Sequence, residues 1–399
     1  MVVTYAVLVA AYLLSQFFRA FLAVIAPELA RDIGLDPADL GLVSGAFFAA
    51  FALAQVPIGM AFDRIGPRVT VSVLMLAAVA GSALFGFAAR PWHPVVGMAL
   101  IGIGCAPVFM GALFVIGRTA GAARFATLSS AIVGVGSLGN IFAATPFAAT
   151  VAAIGWRHAM LSVAVLTFVG AAAVALLLRD PPPPAGAAKA TGNPFAMGEV
   201  LRIRELWPMI PLALTSYPIL AAVRGLWIGP YFAEVHGLGP LDRGNAVMVM
   251  GFAMILGSFV YGPLDRLFGT RKWVVAAGSA VTVAALALLA LNPQVGVVGA
   301  TIAFAVIGGF GMTYGVVMAH ARAFLPEHVL GRGLSLMNAC MIGGAGLLQP
   351  VSGALVGHFA AAGAAPAATF AILFGGFAVA LTAALAVYLF ARDARPARD

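Results

Sequence analysis

Twelve apolar runs, each close to the roughly twenty residues a helix needs to cross about 30 Å of hydrocarbon at 1.5 Å per residue, succeed one another along this chain. They fall near residues 5–30, 39–62, 69–89, 94–117, 126–153, 156–178, 207–233, 244–264, 273–292, 295–321, 334–358 and 367–391. In lipid every backbone polar group must find its partner inside the protein, so runs of this length are read as helices. The 399 residues are 62% hydrophobic and only 9% charged, with a mean hydropathy of +1.04. A water-soluble globule of this size would lack the polar surface to cover itself. The expected class is an all-α membrane protein with twelve transmembrane helices and the lipid bilayer as its main partner.

Charge placement gives an expected orientation. With both termini inside, the cytoplasmic segments hold sixteen of the 22 basic residues, and the outer segments hold only Arg31, Arg90, Arg157 and Arg243. The last two, Arg19 and Arg224, lie within spans. The net charge of +8 is therefore a topology signal. Cations spread over short loops do not form the single basic face that nucleic acid requires, so none is expected as a partner. Cys105 and Cys340 both fall in apolar spans, which leaves no disulfide framework and no thiol-rich metal cluster. No basic residue precedes Arg19 and no small-x-small cleavage site follows, so the amino terminus reads as a retained first span. The expected location is the cell inner membrane, multi-pass, with both termini cytoplasmic.

After Arg179 the sequence turns to Asp180 and four successive prolines, which cannot continue a helix. This predicts an N-terminal half over 1–179, a cytoplasmic linker over 180–206 and a C-terminal half over 207–399. The halves echo one another. A short basic motif, Gly59-Met-Ala-Phe-Asp63-Arg64-Ile-Gly66-Pro-Arg68, returns as Gly262-Pro-Leu-Asp265-Arg266-Leu-Phe-Gly269-Thr-Arg271-Lys272, with its aspartate 202 residues on (265 − 63). Arg19 and Arg224 are 205 apart (224 − 19), and the Gly-rich helices before Pro146 and Pro350 are 204 apart (350 − 146). Offsets that agree within three residues predict an internal duplication into two pseudo-symmetric six-helix halves.

These residues resemble the major facilitator superfamily, whose loop between spans two and three carries Gly-x-x-x-Asp-Arg-x-Gly-x-Arg. The pattern is intact at Gly59, Asp63, Arg64, Gly66 and Arg68, and the second copy has one extra residue before Gly269. The resemblance implies a secondary transporter working by alternating access. It also implies that the motif residues, with Asp265, Arg266 and Arg271, act as a conformational latch. Physically, Asp63 and Asp265 stand where a helix leaves the membrane and can cap a neighbouring helix N-terminus or pair with arginine. The competing reading is that these are ordinary positive-inside anchors.

An ionisable side chain deep in a span costs at least about 2.5–3.5 kcal/mol on insertion scales, so it usually faces a cavity with a task. Arg19 and Arg224 are the two such residues, and no acid stands mid-span to neutralise them. Placed eight residues before Pro27 and Phe232, they are expected roughly 12 Å inside the outer ends of spans one and seven. Two cations without acidic partners imply an anionic substrate. Helical spacing adds Tyr12, Ser15 and Gln16 to the stripe of Arg19, and Tyr217, Trp227 and Tyr231 to that of Arg224. Asn140 and Asn338 are further polar candidates in spans five and eleven.

The segments Tyr12–Arg19 with Pro27-Glu-Leu29, and Arg224-Gly-Leu-Trp-Ile-Gly-Pro230-Tyr231, also resemble the first and seventh helices of the organophosphate:phosphate antiporters, the sugar-phosphate and glycerol-phosphate permeases. In that branch the equivalent arginines hold the substrate's phosphate. Here Ala20 follows Arg19 where those permeases have lysine, and span five has no histidine, which leaves carboxylates as open as phosphates. The chain is similar, too, to the anion:cation symporters, although Phe18 replaces the acid beside their first-span arginine. Exchange against a counter-anion and symport with protons both stay open, the latter through His158, His320 or the substrate. His158 and His320 are expected at the membrane interface.

Two rival readings compete. Met250 with Met254, and Met337 with Cys340 and Met341, have the i, i+4 spacing of soft ligands in a Cu(I) importer. A drug/proton antiporter would instead place a Gly-Pro pair in span five, where this chain has Gly134-Val-Gly136-Ser-Leu-Gly139-Asn140 with Pro146 six residues later. Nothing resembling a nucleophile elbow, Walker loop, metal triad or dinucleotide fingerprint occurs in its proper context, so neither enzymatic chemistry nor a cofactor is expected. A monomer is expected.

Overall fold

The computed structural model of this protein describes residues 2–119, 128, 132, 134–180, 198–326 and 329–394. The start of the fifth expected span, most of the 180–206 linker and the Asp63 side chain lie outside the described residues. Among those described, ten helices are long and apolar enough to cross a membrane, and the bent pair Val3–Phe17 and Leu22–Ile33 makes an eleventh span. The 44-residue Gly134–Leu177 segment is twice the length one crossing needs. It is divided at Gly155, whose φ of 79° and ψ of 156° no helix can accommodate. The segment therefore supplies spans five and six, and the total is the twelve that the apolar runs predict.

The remaining spans are Pro37–Arg64, Pro67–Gly86, Trp92–Thr119, Arg204–His236, Pro240–Phe268, Lys272–Leu291, Val297–Arg322, Leu330–Ala361 and Pro366–Tyr388. Several begin with proline at the first helical position, where its missing N–H would have had no partner and its φ is already helical: Pro37, Pro67 and Pro366. Span two adds a reciprocal cap, with Asp39 N–H donating to Asp36 Oδ1 at 2.7 Å and Asp36 N–H to Asp39 Oδ2 at 3.3 Å. Positive φ is confined to glycine among the described residues, and six of the seven such glycines recur in pairs, Gly34 with Gly237, Gly66 with Gly269 and Gly155 with Gly363, while Gly296 stands alone. The duplication thus reaches the turns as well as the helices.

The chain forms two compact units, Met1–Lys189 with Gly239–Met248, and Ala190–Leu238 with Val249–Asp399. In the first, spans two, three and four pack closely because small residues let backbones meet: a Cβ on Gly102 would stand 2.3 Å from the Phe47 carbonyl oxygen. In the second, a Cβ on Gly257 would stand equally close, 2.3 Å, to the Gly309 carbonyl oxygen of span ten. The opening turns of span eight, Gly239–Met248, belong to the first unit. Thr145 Oγ1 donates to Asn245 Oδ1 there at 2.8 Å, and Arg243 pairs with Glu28.

Candidate functional site

Arg19 stands where span one is broken. The helix stops at Phe17, restarts at Leu22 and bends by 46° across the gap. In the gap the backbone tightens, with Arg19 N–H donating to Gln16 O at 3.3 Å and Ala20 N–H to Phe17 O at 3.0 Å. Phe17 and Phe21 wedge against Phe147, with ring centroids 5.0 and 6.1 Å away, which fixes the bend by packing. The Arg19 guanidinium lies 4.8 Å from the centre of the Phe51 ring, a cation–π contact within the first unit. Tyr12 stacks on Phe109 at 5.0 Å and lies so close to Gly136 that any Cβ there would meet its ring at 2.1 Å. Gln16 brings a buried side-chain carbonyl oxygen with no hydrogen-bond partner among the described residues. Asn140, also buried, is carried beside span one because Gly139 lets the two backbones touch.

Arg224 occupies the corresponding place in the second unit, and its helix is irregular there too. Residues Val223–Trp227 form a π-helical turn, a widened turn of the kind that concentrates at functional sites. Arg224 is buried within it. One turn on, Trp227 Nε1 donates to Ser352 Oγ of span eleven at 2.9 Å. Tyr217 leans on Tyr314, ring centroids 5.7 Å apart, and Tyr314 donates its hydroxyl to Asn338 Oδ1 at 2.6 Å. Tyr217, Tyr314 and Asn338 therefore form one polar cluster in which Tyr314 is the member that spacing alone did not find.

The broken helices correct the expected stripes. Arithmetic of i, i+3, i+4 and i+7 assumes a continuous helix, and neither span one nor span seven is one through its arginine. Tyr231 is set apart from the Tyr217 cluster: it sits among Phe232, Phe304, Phe370 and Phe374 and donates its hydroxyl to Pro293 O at 2.8 Å. The expected depth changes as well, because the helices continue past Pro27 and Phe232 to Ile33 and His236. Met250 and Met254 pack against Gly308 of span ten, with Cγ atoms 3.0 and 3.2 Å from where its Cβ would be.

The basic motif is organised by acids that the sequence comparison did not single out. In the first unit Gly66 takes φ 90°, and the Asp180 carboxylate fills the space a Cβ would need, 2.9 Å away. Asp180 Oδ1 accepts from Arg68 N–H at 2.8 Å, capping the start of span three, while Arg68 Nε donates to Ala175 O at 2.6 Å. In the second unit Asp393 plays the same part: it accepts from Thr270 Oγ1 at 2.6 Å, Lys272 N–H at 3.0 Å and Arg271 N–H at 3.2 Å. The two acids stand just past the ends of spans six and twelve, 213 residues apart (393 − 180). Burial pushes the Asp393 carboxyl up, but the three hydrogen bonds outweigh it and hold the group below its ordinary value. Asp265 takes the other expected option and pairs with Arg271 Nε at 3.1 Å. Gly59, Arg64 and Arg266 are exposed.

At the opposite ends of the spans lies a second charged device. Glu28 and Arg243 form a close ion pair with side chains only 11% and 5% exposed, and neither residue was a candidate from sequence. His320 stands two residues before the end of span ten, near the span end as expected. It is fully buried, receives the Tyr388 hydroxyl on Nδ1 at 2.7 Å and donates from Nε2 to Arg392 O at 2.9 Å, anchoring the end of span twelve beside Asp393. His158 is exposed, with Nδ1 3.1 Å from the Ile154 carbonyl of its own helix.

Comparison with known proteins follows the same lines. The chain is 28% identical over 348 residues to a gentisate transporter of Corynebacterium glutamicum, covering 82% of this chain and 76% of that one. It is 33% identical to a D-galactonate transporter of Escherichia coli over 91 residues, 23% of this chain and 21% of the relative. The crystal structure of the nucleoside transporter NupG superposes with a TM-score of 0.81, covering 98% of this chain and all of the other at 14% identity, a likeness of fold. The family model of the Major Facilitator Superfamily matches residues 8–242. Twelve spans, the duplicated motif with its capping acids and this match carry one conclusion: the chain is a multi-pass membrane transport protein of the Major Facilitator Superfamily.

Proposed function

We propose that this protein moves a small organic anion, of carboxylate or phosphate type, across the bacterial inner membrane by rocker-switch alternating access, with Arg19 and Arg224 each binding the negative charge. The observation that carries this reading is the matched pair of arginines, 205 residues apart, each set where its own helix departs from regular α geometry. Irregular turns in broken spans are where transporters of this architecture free backbone and side-chain groups for a substrate. Gentisate and galactonate, named for two relatives, are both carboxylates, which favours an organic acid. Tyr12, Gln16, Asn140, Tyr217, Trp227 and Asn338 set the shape around the charge, and both termini face the cytoplasm. The motif acids and arginines act as the latch, with Asp180 and Asp393 as its caps. The protein works as a monomer, coupled to protons or to a counter-anion.

Uptake of labelled gentisate and galactonate into proteoliposomes tests this. Arg19→Ala and Arg224→Ala each abolish uptake, and Lys at either place retains part of it where a point charge suffices. Undiminished transport by the double alanine variant refutes the arginine reading.

A further inference from the structure

Gln349 of span eleven is fully buried, and neither its Nε2 nor its Oε1 has a hydrogen-bond partner among the described residues. A buried carboxamide with both ends unsatisfied is unusual, because the group brings two N–H donors and a two-lone-pair acceptor that water would otherwise serve. Its place in the unit is well fixed. A Cβ on Gly344 would stand 2.9 Å from Pro218 Cγ and 3.1 Å from Leu214 O, and eight residues further along span eleven Ser352 receives the Trp227 indole N–H at 2.9 Å. Spans seven and eleven therefore run side by side in the same direction, 218 to 227 along 344 to 352. Arg224 stands three residues before Trp227, and Gln349 three before Ser352, so the two are level with each other. Ser352 Oγ also donates to the Gln349 backbone carbonyl at 2.8 Å, tying that turn to the indole.

We infer that Gln349 is a specificity-determining residue that reads a hydroxyl group on the transported anion, and that the substrate class is a hydroxylated carboxylate. This rests on the reading that Arg224 binds the anion's charge. An arginine only donates, whereas the amide both donates and accepts. A ligand that satisfies both must offer acceptor oxygens to Arg224 and to the amide N–H groups, and a donor to the amide oxygen. Carboxylates with a nearby hydroxyl do this. Nitrate and sulfate carry acceptors alone and would leave the amide oxygen facing negative charge. A site built to bond a hydroxyl rejects the analogue lacking it, since the buried protein group is then left unpaired.

The test uses the purified full-length protein in detergent and measures binding of two matched pairs, 2,5-dihydroxybenzoate against benzoate and galactonate against hexanoate. Wild type is expected to bind the hydroxylated member of at least one pair about tenfold more tightly. Gln349→Leu and the length-preserving Gln349→Met should erase that preference, weakening the hydroxylated ligand about tenfold and leaving its deoxy partner within about twofold. Neither variant should melt lower than wild type without ligand, because each removes an unsatisfied polar group. A preference that survives in both variants overturns the inference, as does a wild type with no preference in either pair. Arg224→Ala separates the two levels: if it binds all four compounds like wild type, the arginine reading itself has failed.

Discussion

Replacing Glu28 by glutamine should destabilise the first unit severely. The Arg243 side chain is 5% exposed and that of Glu28 11%, so removing the carboxylate charge strands a guanidinium where water cannot solvate it. Breaking one side of a buried ion pair typically costs about 3–5 kcal/mol. For a body of about 200 residues, each kcal/mol lowers the melting temperature by roughly 2–4 °C, which puts the expected drop at roughly 6–20 °C. Scanning fluorimetry in mild detergent measures it. Arg243→Met should fall by a similar amount, because Glu28 is then the uncompensated charge. The double variant Glu28→Leu, Arg243→Met removes both charges and should recover most of the loss, as apolar replacements of buried pairs often do. If Glu28→Gln melts within about 2 °C of wild type, the reasoning from burial is refuted.

Gly66→Ala should lower stability by about 1–3 kcal/mol from its φ of 90° and ψ of 162° alone, with displacement of the Asp180 cap adding to it, whereas Gly59→Ala, in a helical stretch with open space around it, should be neutral or stabilising by up to about 1 kcal/mol. Thermal melts of both variants distinguish these outcomes. Asp393 has a folded value below its ordinary 3.8, so its contribution is complete above that range and is lost as pH falls through the depressed value. The melting gap between wild type and Asp393→Asn should therefore be constant from about pH 5 to 8 and close in stronger acid. Tyr231→Phe should leave transport intact and cost about 1 kcal/mol of stability through the hydrogen bond to Pro293, and a selective loss of substrate affinity would return the residue to the binding site.

The twelve spans were legible because hydropathy and length act locally, and proline or glycine marks where several helices begin or end. The duplication was legible for the same reason, since Arg19 and Arg224 can be matched by counting. What counting could not supply were partners brought together by packing. Asp180 meets Arg68 from 112 residues away and Asp393 meets Arg271 from 122. Both acids stand beside Arg179 and Arg392 at the ends of spans six and twelve, so the repeated Arg-Asp pair was a signal available in the sequence. Tyr314 and Gln349 carried weaker ones, a lone tyrosine in span ten and an amide beside Pro350. The interruptions at Phe18–Phe21 and Val223–Trp227 had no signal of composition, because aromatic packing and a widened turn depend on neighbours distant in sequence.

That widened turn around Arg224 has a practical meaning for anyone redesigning span seven. One surplus residue rotates everything after it by about 100° relative to an uninterrupted α-helix, so the segment behaves as two helical wheels joined out of phase. Tyr217 belongs to one wheel and Tyr231 to the other. Deleting a single residue between Val223 and Trp227 would remove the surplus and leave the Tyr231 face in its aromatic nest, whereas tightening the wide turn to a regular one at full length would swing that face out by about 100°.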